Sequence, residues 1–226
     1  GIFVIFGISL NTVITFLGAI TAVILLVFRD TILGFVTGIH VSTSKNLKIG
    51  DWIGIPKYNI EGNIQDINLL TTKIVNFDKT ISTIPTYDLL STEIRNHQVM
   101  YEGSSRRIKR SIYFNIKSFK FVDDEFYEKV KDINLISEYL DRKLREIAES
   151  KKNIPHAERI INGQQLTNIG LFRNYVLNYL KNNPKVDQDE IVLVRQLEIS
   201  PQGMPLEIYC FANKAELVDY ERIQAD

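Results

Sequence analysis

The sequence predicts a membrane-spanning α-helix joined to an α+β protein, and three observations lead to this fold class. Residues 1–28 contain no Asp, Glu, Lys, Arg or His, and eighteen of them are Ile, Val, Leu or Phe. Residues 47–100 consist of short β-type runs separated by turn residues. The remaining residues alternate between strand-like runs and segments in which apolar residues recur at helical spacing.

The first element is the apolar stretch, which predicts a transmembrane helix. At 1.5 Å per residue, 28 residues span about 42 Å, more than the roughly 30 Å hydrocarbon core. A signal peptide has a basic start and a shorter apolar stretch of about 7–15 residues, so this pattern excludes one. Lys45 and Lys48 follow the span, and the positive-inside rule therefore places the C-terminal part in the cytoplasm.

Small and polar residues interrupt the apolar stretch and leave two interpretations open. Small residues let membrane helices approach closely, and polar ones need a partner or water. The helix therefore packs either within a monomeric bundle or against copies of itself around a pore. The residues concerned are Ser9, Asn11, Thr12, Thr15, Gly18, Ala19, Thr21 and Ala22.

The adjacent Arg29 and Asp30 mark the end of the span. Two charges at the bilayer centre would cost about 5–7 kcal/mol, whereas at the interface both reach water. Residues 31–41 cover only about 16 Å as a helix and cannot span. We therefore expect one span that ends near Phe28, followed by a short interfacial helix. Gly34 and Gly38 give this second helix a face suited to tight packing.

Residues 47–102 predict a small, strongly bent β-barrel of four or five strands. We expect one turn at Gly62-Asn63 and another near Asp78-Lys79. Pro85 lacks a backbone N–H and should stand at the end of its strand. The Gly- and Ser-containing residues 101–107 predict a domain boundary.

Residues 103–226 predict an α+β domain. A strand over residues 107–116 precedes a helix over residues 123–150, which begins with two acidic residues that favour a helix N-terminus. A second helix begins at Thr167 or Asn168 and ends before Pro184. Two strands then pair around the turn at residues 200–204. Strand–helix–strand–strand–helix is the ferredoxin-like order.

The sequence offers no catalytic constellation, so we predict that the protein is not an enzyme and has neither a metal site nor a cofactor. His40, His97 and His156 are scattered, and no pair has the spacing of metal ligands. Cys210 lies in an apolar strand, where a small core residue is more common than a nucleophile. A single cysteine also fits a reducing, cytoplasmic environment.

One dense basic cluster, RRIKR at residues 106–110, could serve a nucleic-acid partner. Its side chains lie on both faces of a predicted strand, and no aromatic stacking motif accompanies them. The balance of 27 basic and 27 acidic residues gives no further reason to expect nucleic acid. We interpret the cluster as a solvated domain edge that pairs with acids of a neighbouring subunit, and we predict no nucleic-acid partner.

Taken together, these segments resemble the small-conductance mechanosensitive ion channel family, with most similarity to its miniconductance branch. The resemblance covers essentially the whole chain. It is carried by residues 17–39, by KIGDW followed by G-x-I-x-D-I at residues 48–67, and by RRIKRSI, TNIGLFRNYVLNYL and VRQLEISPQGMPLEIY.

The resemblance implies a homo-oligomer of seven subunits in the bacterial inner membrane, opened by bilayer tension. Such a channel passes ions and small osmolytes during hypoosmotic shock and contacts membrane lipid. The implied domains are a pore helix and an interfacial helix (1–46), an Sm-like barrel (47–102) and a ferredoxin-like cytoplasmic vestibule domain (103–226). We expect the last domain to be truncated at its C-terminus and further membrane spans to precede residue 1.

The resemblance also implies roles for individual residues. The family's two apolar constrictions match Ala22 and Leu26; since Ala22 is small, the gate is either the single apolar ring of Leu26 or shifts to Leu25 or Phe28. The flexible glycine of the family's helix break is replaced by the charged pair, which would hold the bend by solvation and ion pairing. The implied pore-lining residues are Ala19, Ala22, Leu26 and Arg29, and the implied break residues are Arg29, Asp30, Gly34 and Gly38.

An alternative function is a membrane-tethered cytoplasmic binding module without channel activity. In that case the barrel and the basic strand would capture a partner such as RNA. A tethered module would be a monomer or dimer with a lipid-facing helix, whereas a channel requires a ring of subunits.

Overall fold

A computed structural model describes residues 7, 9–44 and 46–226 of the chain. Lys45, which contributed to the predicted orientation, and residues 1–6 and 8 of the predicted span lie outside the described residues. The chain divides into two compact units, residues 1–99 and residues 100–226.

Two consecutive helices begin the first unit. Helix α1 covers Leu10–Val27 and helix α2 covers Arg29–Ser44. The side chain of Ser9 caps α1 by accepting a hydrogen bond from the backbone N–H of Thr12 at 3.2 Å, which satisfies one of the free donors at a helix start. The boundary between a span ending near Phe28 and a second helix is thus where the charge pattern placed it.

The rest of the first unit is an antiparallel five-stranded sheet with the order β4-β3-β2-β1-β5. Successive strands pair with Ile53 opposite Gly62 in the first hairpin and Ile74 opposite Ser82 in the third, and the register of the second hairpin shifts between Ile64 and Asp66. The strands are β1 Trp52–Ile55, β2 Ile60–Ile67, β3 Thr71–Asn76, β4 Ile81–Pro85 and β5 Arg95–Asn96, with a short helix α3 at Asp88–Ser91.

The turn predicted at Gly62-Asn63 was wrong, because both residues lie inside β2. The chain turns instead through a short 3-10 helix at Pro56–Tyr58. Glycine stands at position 62 because the neighbouring strand comes very close: a Cβ atom there would lie 2.1 Å from the carbonyl oxygen of Val75. The turn near Asp78-Lys79 and the position of Pro85 at the end of β4 are confirmed.

The core of this unit is formed mainly by isoleucines on the inner face of the sheet. It also contains Val41 of α2. A residue of the second helix therefore belongs to the same apolar cluster as the strands, which fixes α2 to the sheet. The buried members are Val41, Ile53, Ile55, Ile64, Ile74, Ile84 and Leu89.

The second unit contains a three-stranded antiparallel sheet with the order β6-β8-β7. Strand β8 lies in the middle and pairs with both neighbours, with Glu207 opposite Ser111 on one side and Arg195 on the other. The elements, after the short helix α4 at Gln98–Glu102, are β6 Arg106–Phe114, α5 Asp124–Val130, α6 Asn134–Lys151, α7 Asn168–Asn182, β7 Leu193–Gln196, β8 Met204–Ala212 and α8 Leu217–Ala225.

The single helix predicted over residues 123–150 is two helices, separated by residues 131–133. Ile133 has an extended backbone, with φ −79° and ψ 106°. Phe126, Val130, Ile133 and Ile136 nevertheless line one apolar groove against α7. Because these side chains share a face across the break, their spacing in the sequence looked like that of one continuous helix.

The other predicted elements of this unit are confirmed. Thr167 caps α7 through a hydrogen bond from the backbone N–H of Gly170 at 3.1 Å, and α7 ends at Asn182. One face of the sheet packs on α7 and α8 in a core that includes Leu206 and Cys210. A second cluster, around Leu140, joins α6 to α7.

Candidate functional site

Helix α1 is the one element of the described chain that is long and apolar enough to cross a membrane. Its mean hydropathy is 2.3, and none of its residues is buried by the rest of the chain. An exposed helix with apolar residues on every side needs a non-aqueous environment or partner helices. Length, composition and exposure therefore make α1 the candidate functional element.

The predicted pore-lining side chains of α1 lie on one side of the helix. At about 100° per residue, Ala19, Ala22 and Leu26 fall within an arc of about 60°. All three are exposed, and Leu26 is 74% exposed. The geometry thus brings two small residues and one large apolar residue into a single stripe, which we call the α1 stripe.

The junction between α1 and α2 is a single residue, Phe28. Its backbone has φ −96° and ψ 8°, its N–H donates to the carbonyl oxygen of Ile24 at 3.0 Å, and its own carbonyl accepts from Ile32 at 2.9 Å. The first hydrogen bond closes α1 and the second opens α2. The turn therefore lies one residue before the pair Arg29 and Asp30 that the sequence marked as the break.

Arg29 and Asp30 form the first turn of α2, and both are exposed. Within the described part of the chain, neither makes an ion pair, and the ion pairing expected of them at the bend stays a prediction. Asp30 instead places a negative charge at the N-terminus of α2, where the helix dipole favours it.

The two glycines of α2 have different surroundings. A Cβ atom at Gly34 would lie 1.8 Å from the carbonyl oxygen of Leu69, whereas one at Gly38 would meet nothing within 4 Å. Gly34, Thr37 and Val41 follow one another at helical spacing, and all three are buried. This face fixes α2 to the turn between β2 and β3, and Gly34 is the position where the backbones approach.

A buried carboxylate that the sequence did not reveal lies in the first unit. Asp88 is 2% exposed, accepts hydrogen bonds from the hydroxyls of Tyr58 and Ser91, and has the Lys57 ammonium at 3.5 Å. Burial raises the pKa of Asp88, but these hydrogen bonds and the nearby ammonium outweigh it and hold the pKa below its ordinary value. Asp88 thus connects α3 to the 3-10 turn after β1.

The basic cluster at residues 106–110 finds partners within its own chain. The Arg106 guanidinium lies 4.3 Å from the ring centroid of Tyr220, and the Lys109 ammonium lies 3.7 Å from Glu207. Glu207 is 3% exposed, accepts a hydrogen bond from Arg195 Nε at 2.8 Å and forms an ion pair with Arg195 Nη2 at 2.7 Å. Glu207 of the same chain therefore neutralises part of the cluster, and local sequence does not reveal these contacts because the partners are distant in the chain.

The described residues contain no group of three or more His, Cys, Asp or Glu side chains that could hold a metal ion. Cys210 is buried in β8, and burial raises the pKa of its thiol to about 11. A thiol in that state is a poor nucleophile at neutral pH.

Comparison with known proteins points to one family. Residues 30–99 match the family model described as "Mechanosensitive ion channel, beta-domain". The chain is 24% identical over 221 residues to the low conductance mechanosensitive channel YnaI of Escherichia coli (strain K12). The aligned region covers 98% of this chain and 50% of that protein. The chain thus spans about half the length of this relative.

Two solved structures share the fold. The cryo-EM structure of Arabidopsis thaliana MSL1 has a TM-score of 0.60 at 17% identity and covers 97% of this chain and 61% of that one. The crystal structure of Helicobacter pylori MscS in its closed state has a TM-score of 0.54 at 15% identity. The match covers 97% of this chain and 68% of that one. The matched β-domain and the relative along nearly the whole chain lead to one conclusion: the chain resembles the MscS-like family of mechanosensitive ion channels.

Proposed function

We propose that this protein is a tension-gated channel of the bacterial inner membrane that passes ions and small osmolytes during hypoosmotic shock. The observation that supports this most directly is the combination of α1 and α2. An apolar helix with no buried residue is followed, after one residue, by a helix fixed to the β-sheet unit. Within this proposal the α+β unit lies in the cytoplasm, and the chain is closest to the miniconductance branch.

A ring of identical subunits, for which we propose seven, gives α1 the partners that it lacks within one chain. The small residues Gly18, Ala19 and Ala22 let neighbouring helices approach closely. The remaining apolar side chains of α1 then contact membrane lipid. Tension favours the state with the larger area in the membrane plane, and tilting or separating the α1 helices would supply this area.

The gate in this proposal is the apolar ring formed by Leu26. A narrow constriction lined by apolar side chains excludes water and thereby blocks ions. Ala22 is too small to add a second constriction of this kind. Arg29 follows at the cytoplasmic end of the pore, and the bend at Phe28 directs α2 along the membrane surface.

An apolar groove of about 720 Å³ lies between α2 and the segments around Leu47 and Ile67. Phe35 and Ile39 of α2 line it, together with Leu69 of the β2–β3 turn. We assign these apolar side chains to the membrane interface, which explains how α2 can be exposed on one side and fixed to the sheet on the other.

The proposal is tested by reconstituting the full-length protein in liposomes and applying suction to excised patches. We expect currents above a threshold tension, and silence up to patch rupture would overturn the proposal. The mass of the detergent-solubilised protein separates the channel from a tethered binding module. A channel gives a ring near seven subunits, whereas a binding module gives a monomer or dimer.

A further inference from the structure

The polar side chains of α1 differ in how their hydrogen bonds are satisfied. The hydroxyls of Ser9 and Thr12 bond to each other at 2.7 Å. Thr15 donates to the carbonyl oxygen of Asn11 at 2.9 Å, and Thr21 donates to that of Leu17 at 2.8 Å. Each hydroxyl is thus satisfied by the helix itself, and none of them requires water or another chain.

Asn11 is the exception. Its side-chain carboxamide makes no hydrogen bond to any residue that the structure describes, and the residue is exposed. An amide without a partner in an apolar medium costs about 4–8 kcal/mol relative to water on an alkane scale. The carboxamide of Asn11 must therefore face water or a neighbouring polar group.

The position of Asn11 on the helix indicates which of these it faces. Asn11 and Ala22 are eleven residues apart and therefore differ by about 20° around the axis, so Asn11 extends the α1 stripe. Along the axis it lies about 27 Å from Arg29, close to the thickness of the hydrocarbon core. Asn11 thus ends the stripe on the side away from Arg29. Between Asn11 and Leu26 the stripe carries the two alanines and Thr15, whose hydroxyl is already bonded within the helix.

We propose that Asn11 forms a polar ring at the end of the pore opposite to Arg29, where it contacts the permeating ions and their water and contributes to ion selectivity. This inference rests on the proposed channel function. A ring of carboxamides replaces part of the ion hydration shell without imposing a charge, and a ring of carboxylates at the same place favours cations.

The first test measures water access and needs no current. Asn11→Cys and, as a matched control, Val13→Cys are each treated with a charged, water-soluble thiol reagent in a Cys210→Ser background. Val13 lies at nearly the same depth but about 160° away around the helix. We expect modification at position 11 and protection at position 13. Protection at position 11, or equal modification at both positions, would overturn the inference.

The second test measures selectivity in the full-length channel. Under a KCl gradient, Asn11→Asp should raise the potassium-to-chloride permeability ratio about twofold or more relative to wild type. An unchanged reversal potential in a variant that still opens would overturn the inference and leave the channel function standing. If wild-type patches gave no current up to rupture, the proposed channel function would be overturned. The assignment of Asn11 to an ion pathway would then be overturned as well.

Discussion

Gly34 of α2 and Leu69 of the β2–β3 turn are in backbone contact: a single methyl group added at Gly34 would lie 1.8 Å from the Leu69 carbonyl oxygen. Real Cβ atoms do not approach an oxygen this closely, so any side chain at position 34 must move the helix or the turn. This contact connects α2, the helix that follows the apolar helix α1, to the β-sheet.

Gly34→Ala should therefore destabilise the first unit by about 1–3 kcal/mol, the usual cost of overpacking. Gly38→Ala is the matched control, because nothing lies within 4 Å of its added Cβ atom. The higher helix propensity of Ala should make the control neutral or more stable by up to about 1 kcal/mol. Thermal unfolding of the detergent-solubilised protein measures both. Equal melting temperatures in the two variants would contradict the contact.

In the proposed channel, Leu26→Ser should lower the tension at which the pore opens, because a hydroxyl lets water enter an apolar constriction. Leu17→Ser is the control, since nine residues place Leu17 about 180° from Leu26 on the helix. Patch recordings with a co-expressed channel as tension standard give the threshold ratio. If Leu17→Ser lowered the threshold as much as Leu26→Ser, the assignment of Leu26 to the pore would be wrong.

The stability of the first unit should depend on pH through Asp88. Its pKa is lower in the folded chain than in the unfolded chain. The stability that the ionised Asp88 contributes is therefore fully present above the pKa of about 3.9 that the group has in the unfolded chain. It is lost as the pH falls through the lower pKa that Asp88 has in the folded chain.

Asp88→Asn should lower the melting temperature at pH 7 and flatten its fall below about pH 4. Tyr58→Phe removes the hydroxyl that donates to Asp88 and should also destabilise the unit. Because that hydrogen bond lowers the pKa of Asp88, the variant should lose stability at a higher pH than wild type on acidification. Parallel pH profiles for wild type and Asp88→Asn would exclude Asp88 as the titrating group.

In the second unit, Arg195 and Lys109 should contribute unequally to the buried Glu207. Arg195 makes a hydrogen bond of 2.8 Å and an ion-pair contact of 2.7 Å to this carboxylate, whereas the Lys109 ammonium is 3.7 Å away. Arg195→Ala should cost about 1–3 kcal/mol, because it leaves a buried carboxylate without its close donor. Lys109→Ala should cost less than about 1 kcal/mol. Urea unfolding of the two variants would refute this ranking if the costs were equal.

Cys210 should be protected from alkylation in the folded protein. Its thiol is buried, and its pKa is about 11. Since the thiolate is the reactive species, iodoacetamide at pH 8 should modify Cys210 about a hundredfold more slowly than a free cysteine, and at the ordinary rate in denaturant. Mass spectrometry over time gives the rates. Rapid modification of the native protein would show that β8 opens.

Local patterns predicted much of the fold because they depend on neighbours in the chain. Such features determine structure over a few residues. Examples are the charge-free run, the pair Arg29 and Asp30, and the polar turn at Asp78. The same patterns failed where distant backbone decided the outcome. Gly62 predicts a turn by local pattern, yet it lies inside a strand. Glycine stands there because the backbone of Val75 in the next strand comes too close for a side chain. The break at Ile133 was missed because the apolar spacing continues across it.

The sequence by itself determined that the apolar stretch over residues 1–28 contains a helix, that charge ends it near Phe28, and that short strands and then α+β elements follow. Only the tertiary structure decided which glycine of α2 touches the sheet and which carboxylates are buried. The contacts of Gly34 with Leu69, of Asp88 with Tyr58 and of Glu207 with Arg195 join residues 12 to 35 positions apart. No local periodicity records such pairs, because chain folding alone brings them together.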